Sequence, residues 1–220
     1  MKGTIPQRVV FGLAWDVTNG VNIDLDASAI CLDRSLNVVD IISFKKLKSD
    51  DRAIIHGGDE REGYEVGDDE KIYLYLSRLN PSISQVVFTI NSYSGQELDD
   101  ISKASCHLFD YETNMDIARY TLTNNKELDK HTGLILASFY RGNESLGSDE
   151  NTWYLRILSV AGQGMVAKQL VPDIRSYLAQ NPPPPAYTAP EPEIVVNAMP
   201  DDVPVEEEIA VPPMIPNFGK

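Results

Sequence analysis

The sequence predicts an all-β fold: a two-sheet antiparallel β-sandwich with a short C-terminal helix and a proline-rich tail. Three observations carry that expectation. Apolar residues recur with period two in short runs, turn residues punctuate those runs, and only one segment has helical spacing. Many closely spaced strands with little helix favour a sandwich over a βαβ architecture.

Taken in chain order, Val9, Phe11, Leu13, Trp15 and Val17 alternate with Val10, Gly12, Ala14 and Asp16, giving one strongly apolar strand face. Leu25, Ala27, Ala29 and Cys31 repeat the pattern, as do Ile72, Leu74 and Leu76 with Tyr73 and Tyr75 opposite. Further strand-like runs are Val86–Asn91, Ala104–Asp110, Ile117–Leu122, Leu134–Tyr140 and Trp153–Val160. The turn signals Asn19-Gly20, Asn80-Pro81, Ser94-Gly95 and Gly142-Asn143 fall between them. Met165–Leu178 places Val166, Leu170, Ile174 and Leu178 on one helical stripe. Pro172 interrupts that stripe, which predicts a kink or two short helices.

Composition divides the chain into a sandwich domain over 1–180 and a tail over 181–220. The tail holds eleven of the fourteen prolines, and seven acids against one lysine. Such a segment buries too little apolar surface to offset its ordering entropy, so an extended, mostly disordered tail of polyproline II character is expected. Ile194-Val195-Val196 and the run from Val211 to Ile215 are apolar islands in it. They leave two readings open, a docking segment for a protein partner and a passive solubilising tail.

A net charge of −14 argues against nucleic-acid partners, which need clustered Lys and Arg, and against anionic membrane surfaces. No run approaches transmembrane length, and the N-terminus lacks the apolar stretch of a signal peptide. Cys31 and Cys106 both lie in apolar runs, which suits buried free thiols. A cytoplasmic setting is the expectation.

Between Gly57 and Glu70 the chain carries seven carboxylates, one arginine and four glycines in fourteen residues. Two carboxylates about 4 Å apart repel by roughly 4 kcal/mol at an effective dielectric near 20, so folding such groups together calls for a cation. Oxygen donors on a flexible loop suit Ca²⁺ better than Zn²⁺. A second acidic group, Asp24 and Asp26 with Ser28, falls on one face of a predicted strand, successive members about 6.5–7 Å apart. An EF-hand reading fails there, because its sixth position is Ala29 and its twelfth Ser35. The simpler readings are a solvated acidic loop and charges guarding an edge strand.

The ordered strings Gly12–Val17 (GLAWDV), Asp24–Ala29 (DLDASA) and Gly58–Glu70 (GDEREG followed by GDDE) resemble the TerD-like family of tellurium-resistance and stress-response proteins. Ala118-Arg119-Tyr120-Thr121-Leu122 is similar to that family's ARYDL, Phe139-Tyr140-Arg141 to its LYR, and Trp153 with Gly162-Gln163-Gly164 to its closing motif. The resemblance covers about Val9 to Leu170 and implies a sandwich with Ca²⁺ bound by loops at one end. It implies ligand roles for Asp24, Asp26, Asp59, Asp68, Asp69 and Glu70. Where the family reads GDNRTGEGDGDDE, Glu60 here replaces the amide, Glu65 a glycine and Val66 an acid. Glu60 and Glu65 join the candidate metal residues, and the loss at Val66 leaves one site expected and a second open. Asp16 reads as a surface charge at a strand end.

No catalytic constellation emerges. His56, His107 and His131 are widely separated and have no acid at ligand spacing, and neighbouring strand positions turn Cys106 and His107 to opposite faces. Gly162-Gln163-Gly164 lacks the following lysine of a phosphate loop. The expected function is therefore a non-enzymatic calcium-binding module whose ion orders the acidic loop and supports a protein partner. The alternative is a structural or assembly subunit that docks through its proline-rich tail.

Overall fold

The alternating runs pair as two five-stranded antiparallel sheets in the computed structural model, which describes residues 5–16, 23–58, 67–142, 149 and 151–183. The first sheet has the order β4-β5-β1-β7-β8. Its strands are β1 (Arg8–Ala14), β4 (Ile54–His56), β5 (Glu70–Tyr75), β7 (Ser105–Asp110) and β8 (Asp116–Thr121). The second has the order β10-β9-β6-β2-β3, from β2 (Leu25–Leu32), β3 (Val38–Ile42), β6 (Gln85–Ser92), β9 (Gly133–Arg141) and β10 (Trp153–Gly162). Among the described residues no helix is long and apolar enough to cross a membrane.

The period-two faces do what alternation requires. Val9, Phe11, Leu13 and Trp15 meet Leu25, Ala27, Ala29 and Cys31 in the core between the sheets, with Ile72 and Leu74 beside them. Phe88 packs centrally, its ring centroid 5.1 Å from Phe11 and 6.1 Å from Phe139. Cys31 and Cys106 are free thiols, both buried. The Trp15 indole N–H donates to Ile23 O at 2.8 Å, giving the buried ring its polar partner.

The central strands of the second sheet, β2, β6 and β9, are buried on both faces. Helix α1 (Ala167–Gln180) lays Ala167, Leu170, Ile174 and Leu178 over Ile30, Leu32, Val87 and Ile135. Pro172 does not split it in two: Ala167–Gln180 is one helix, so of the two expected outcomes the pair of short helices does not occur. Pro172 sits on the exposed side of the helix, and apolar anchors before and after it hold both halves to the sheet. The Gln169 side chain accepts from Met165 N at 2.7 Å and Val166 N at 3.2 Å, closing the start of the helix. Two short strands, β3 and β4, have no counterpart in the runs read from sequence. Asp26 does not act as an exposed charge guarding an edge, because it is buried.

Candidate functional site

The described acids singled out from sequence gather at one end of the sandwich, where β1 and β6 finish and β2, β5 and β9 begin. Glu70 opens β5, pairs with Leu13 across the ladder, and is 1% exposed. Its Oε2 accepts a hydrogen bond from Ala27 N of the opposite sheet at 2.7 Å. His56, the last residue of β4, places Nε2 3.1 Å from Ala27 O and 3.6 Å from Glu70 Oε2. Its Nδ1 lies 3.2 Å from Gly58 N. The neutral Nε2–H tautomer satisfies both contacts, donating to Ala27 O and accepting from Gly58 N. The geometry has a local cause. β3 pairs with β2 only from Ala29 onward, so the Ala27 backbone takes its partners from the other sheet.

Asp69 clamps the exit of β1. Its N–H donates to Leu13 O at 2.8 Å, and its Oδ2 accepts from Trp15 N at 2.8 Å. Asp24 is fixed through its backbone, donating to Ser94 Oγ at 3.3 Å and accepting from Tyr93 N at 2.9 Å. Asp26 faces away from the core of the sandwich and is 3% exposed. Asp24 Oδ1, Asp26 Oδ2, Asp69 Oδ1 and Glu70 Oε1 are all shielded from solvent.

Asp68 is placed differently. It turns to the outer face of the first sheet, where Oδ1 lies 3.0 Å from His107 Nε2 and Oδ2 lies 3.6 Å from Lys71 Nζ. His107 Nδ1 in turn meets Asp116 Oδ1 at 2.5 Å, and Arg119 Nε donates to Asp116 Oδ2 at 2.9 Å. The His107 contact, helped by Arg119 against partial burial, holds the Asp116 carboxyl below the usual range. Gly12 makes room for this network, because a Cβ there would stand 2.5 Å from Asp68 Oδ2. The sequence shows no acid at metal-ligand spacing from any histidine, whereas the fold sets acids against both His56 and His107. Only strand register juxtaposes them: Gly12 faces Lys71 on one side and His107 on the other.

Asp59, Glu60 and Glu65 lie outside the described residues. Asp16 pairs with Lys103 at 2.7 Å at the surface. Among the described residues, one group of three acids brings carboxylate oxygens within 4.8 Å of one another: Glu97, Asp99 and Asp129. Burial, with help from neighbouring acids, raises the Asp99 carboxyl above its usual value. Such a group is able to share a metal ion. It was missed because its members come from two loops, and only the short string from Glu97 to Asp100 hinted at it.

Comparisons with known proteins agree with this architecture. A family model described as TerD domain matches residues 3–167. Tellurium resistance protein TerZ of Serratia marcescens is 35% identical over 177 residues, 76% of this chain and 86% of the relative. General stress protein 16U of Bacillus subtilis is 30% identical over 146 residues, 62% of this chain and 75% of that protein. The crystal structure of a homologue of telluride resistance protein (TerD) from Streptomyces coelicolor A3(2) superposes with a TM-score of 0.65 at 19% identity. It covers 78% of this chain and 98% of that one, which speaks to the fold. With three quarters of its length inside the matched region, this chain belongs to the TerD domain family, alongside proteins named for tellurium resistance and general stress.

Proposed function

We propose that the chain is a non-enzymatic calcium-binding module of the stress-response type, acting in the cytoplasm, in which the ion orders the acidic run and supports binding of a protein partner. The observation that carries this reading is the burial of carboxylate oxygens from Asp24, Asp26, Asp69 and Glu70 at one end of the sandwich, beside a run richer still in acids. Oxygen-only donors of this kind suit a hard divalent cation. Asp24, Asp26 and Asp69 have the donor chemistry, but among the described residues the three acids whose oxygens stand within 4.8 Å of one another are Glu97, Asp99 and Asp129. Asp68 fits the role of donor poorly, since His107 and Lys71 already engage it. When bound, Ca²⁺ supplies positive charge that offsets the mutual repulsion of these carboxylates. The residues contribute the rest: Asp69 holds the end of β1, and Asp24 is moored to the loop after β6.

The test is calorimetric titration with Ca²⁺ of the wild-type chain and of an Asp24→Asn, Asp69→Asn double variant. Saturable binding is expected in the first and its loss in the second; equal binding in both would remove the site. A second reading, an assembly subunit working through residues 181–220, is favoured by the engagement of Asp68 and by Val66 standing where relatives carry an acid. Deleting 181–220 and measuring co-purifying proteins with and without Ca²⁺ separates the two. If association follows the tail and ignores calcium, the assembly reading prevails.

A further inference from the structure

We infer that His56 and Glu70 are positioning residues that fasten the mouth of the β4–β5 hairpin to one residue of β2, Ala27, and so set the spacing between Asp69, at the start of β5, and the acids of the strand. The inference rests on the calcium reading above and reassigns Glu70 within it, from ligand to clasp.

β4 and β5 form a hairpin whose last ladder pair before the acidic run is His56 with Ile72. Gly57 N then donates to Lys71 O at 2.7 Å, and the acids of the run follow. His56 therefore stands at one side of the mouth and Glu70 at the other. Both side chains are fully buried, and both reach across the sandwich to the same residue. Glu70 Oε2 takes the Ala27 N–H at 2.7 Å, while His56 Nε2 lies 3.1 Å from the Ala27 carbonyl. Two hydrogen bonds to one residue fix the distance of the hairpin from β2 and its slide along the strand. Ala27 lies directly between Asp26 and Ser28, so a shift of the clasp moves Asp26 with it.

The same contacts engage one Glu70 oxygen, Oε2, as an anchor, and the choice between ligand and anchor turns on what the charge of the side chain contributes. One of its oxygens is committed to a buried backbone N–H and lies 3.6 Å from the imidazole. What that contact needs is an acceptor of carboxamide or carboxylate shape, whereas a carboxylate ligand also supplies charge to the ion, and a neutral carbonyl in its place lowers the affinity. Glutamine keeps the first property and loses the second.

The experiment compares full-length Glu70→Gln, Glu70→Ala and His56→Gln chains with wild type, reading Ca²⁺ affinity by calorimetry and Ala27 amide exchange by NMR. A Glu70→Gln chain is expected to bind Ca²⁺ within about threefold of wild type and to keep slow Ala27 exchange. Glu70→Ala should weaken binding about 10–100-fold, the range typical of lost outer-shell partners, and speed Ala27 exchange with or without the ion. His56→Gln, which retains a donor for the carbonyl, should resemble Glu70→Gln. Should Glu70→Gln lose as much affinity as Glu70→Ala, Glu70 is a ligand and the inference is overturned. Unchanged Ala27 exchange in Glu70→Ala overturns it equally. If that variant fails to fold, the Glu70→Gln affinity alone decides. A wild-type chain that takes up no Ca²⁺ removes the calcium reading, and Ala27 exchange then judges the clasp by itself.

Discussion

Asp51 shows how much one carboxylate organises. Its Oδ1 accepts from Ser49 Oγ at 2.6 Å and Ala53 N at 2.9 Å, and its Oδ2 accepts from Asn80 N at 2.8 Å. Burial alone would raise its pKa, but these donors outweigh burial and hold the carboxyl below its ordinary value. A depressed folded-state pKa contributes stability that is present above the unfolded value of about 4 and is lost as pH falls through the folded one. Urea unfolding across pH should therefore show Asp51→Ala less stable than wild type by about 2–3 kcal/mol near neutrality, with the gap closing below about pH 4. Gly12 makes a different prediction. Gly12→Ala drives a methyl into Asp68, so we expect a loss of about 1–3 kcal/mol. Adding Asp68→Ala should recover part of that loss, and a double-mutant cycle by thermal melting measures the coupling. At this scale the sequence located the acid-rich run, because charge density and glycine spacing are local properties. It could not assign the roles of the acids. Asp68 and Asp69 are neighbours, yet one turns to His107 and the other to Trp15, a division that depends on strands far away in the chain.

Among the elements, the strongly alternating strands were legible and the weak ones were not. Val38 and Val39 of β3 are exposed on an edge strand, and β4 has three residues, so neither carries a periodic signal. The helix stripe was legible too, but the division into two helices that Pro172 suggested does not occur. The cost of a proline depends on what the flanking turns bury, and that is a tertiary fact. Leu170 is the anchor of this helix: methyls at Gly133 and Gly162 would fall within 3 Å of it, so the two glycines form its seat. Leu170→Ala should cost about 2–5 kcal/mol in urea titration, the range for a buried leucine that leaves a cavity. If the loss is below about 1 kcal/mol, α1 does not depend on that seat.

For the whole molecule, the sandwich was predictable because many short apolar runs with one helix admit few other architectures. The relation between its sheets was not, because contacts such as Glu70 with Ala27 form only after the two sheets have stacked. A ligand that binds only the folded state adds about 2.7 kcal/mol at a hundredfold excess over its dissociation constant. For a domain of this size that is a rise of about 5–11 °C in melting temperature. Calorimetric scans with Ca²⁺ and with excess chelator should differ by that amount, and the Asp24→Asn, Asp69→Asn variant should show no difference. The placement of the two thiols carries a consequence of its own. Burial pushes the Cys106 thiol up to about 12, and burial with Asp40 and Asp51 nearby pushes Cys31 higher still. Thiolate is the reactive form, so the intact fold presents electrophiles and soft oxyanions with almost no sulfur nucleophile. Modification by such reagents should keep pace with unfolding, which would make a thiol-trapping time course a clock for how often the sandwich opens.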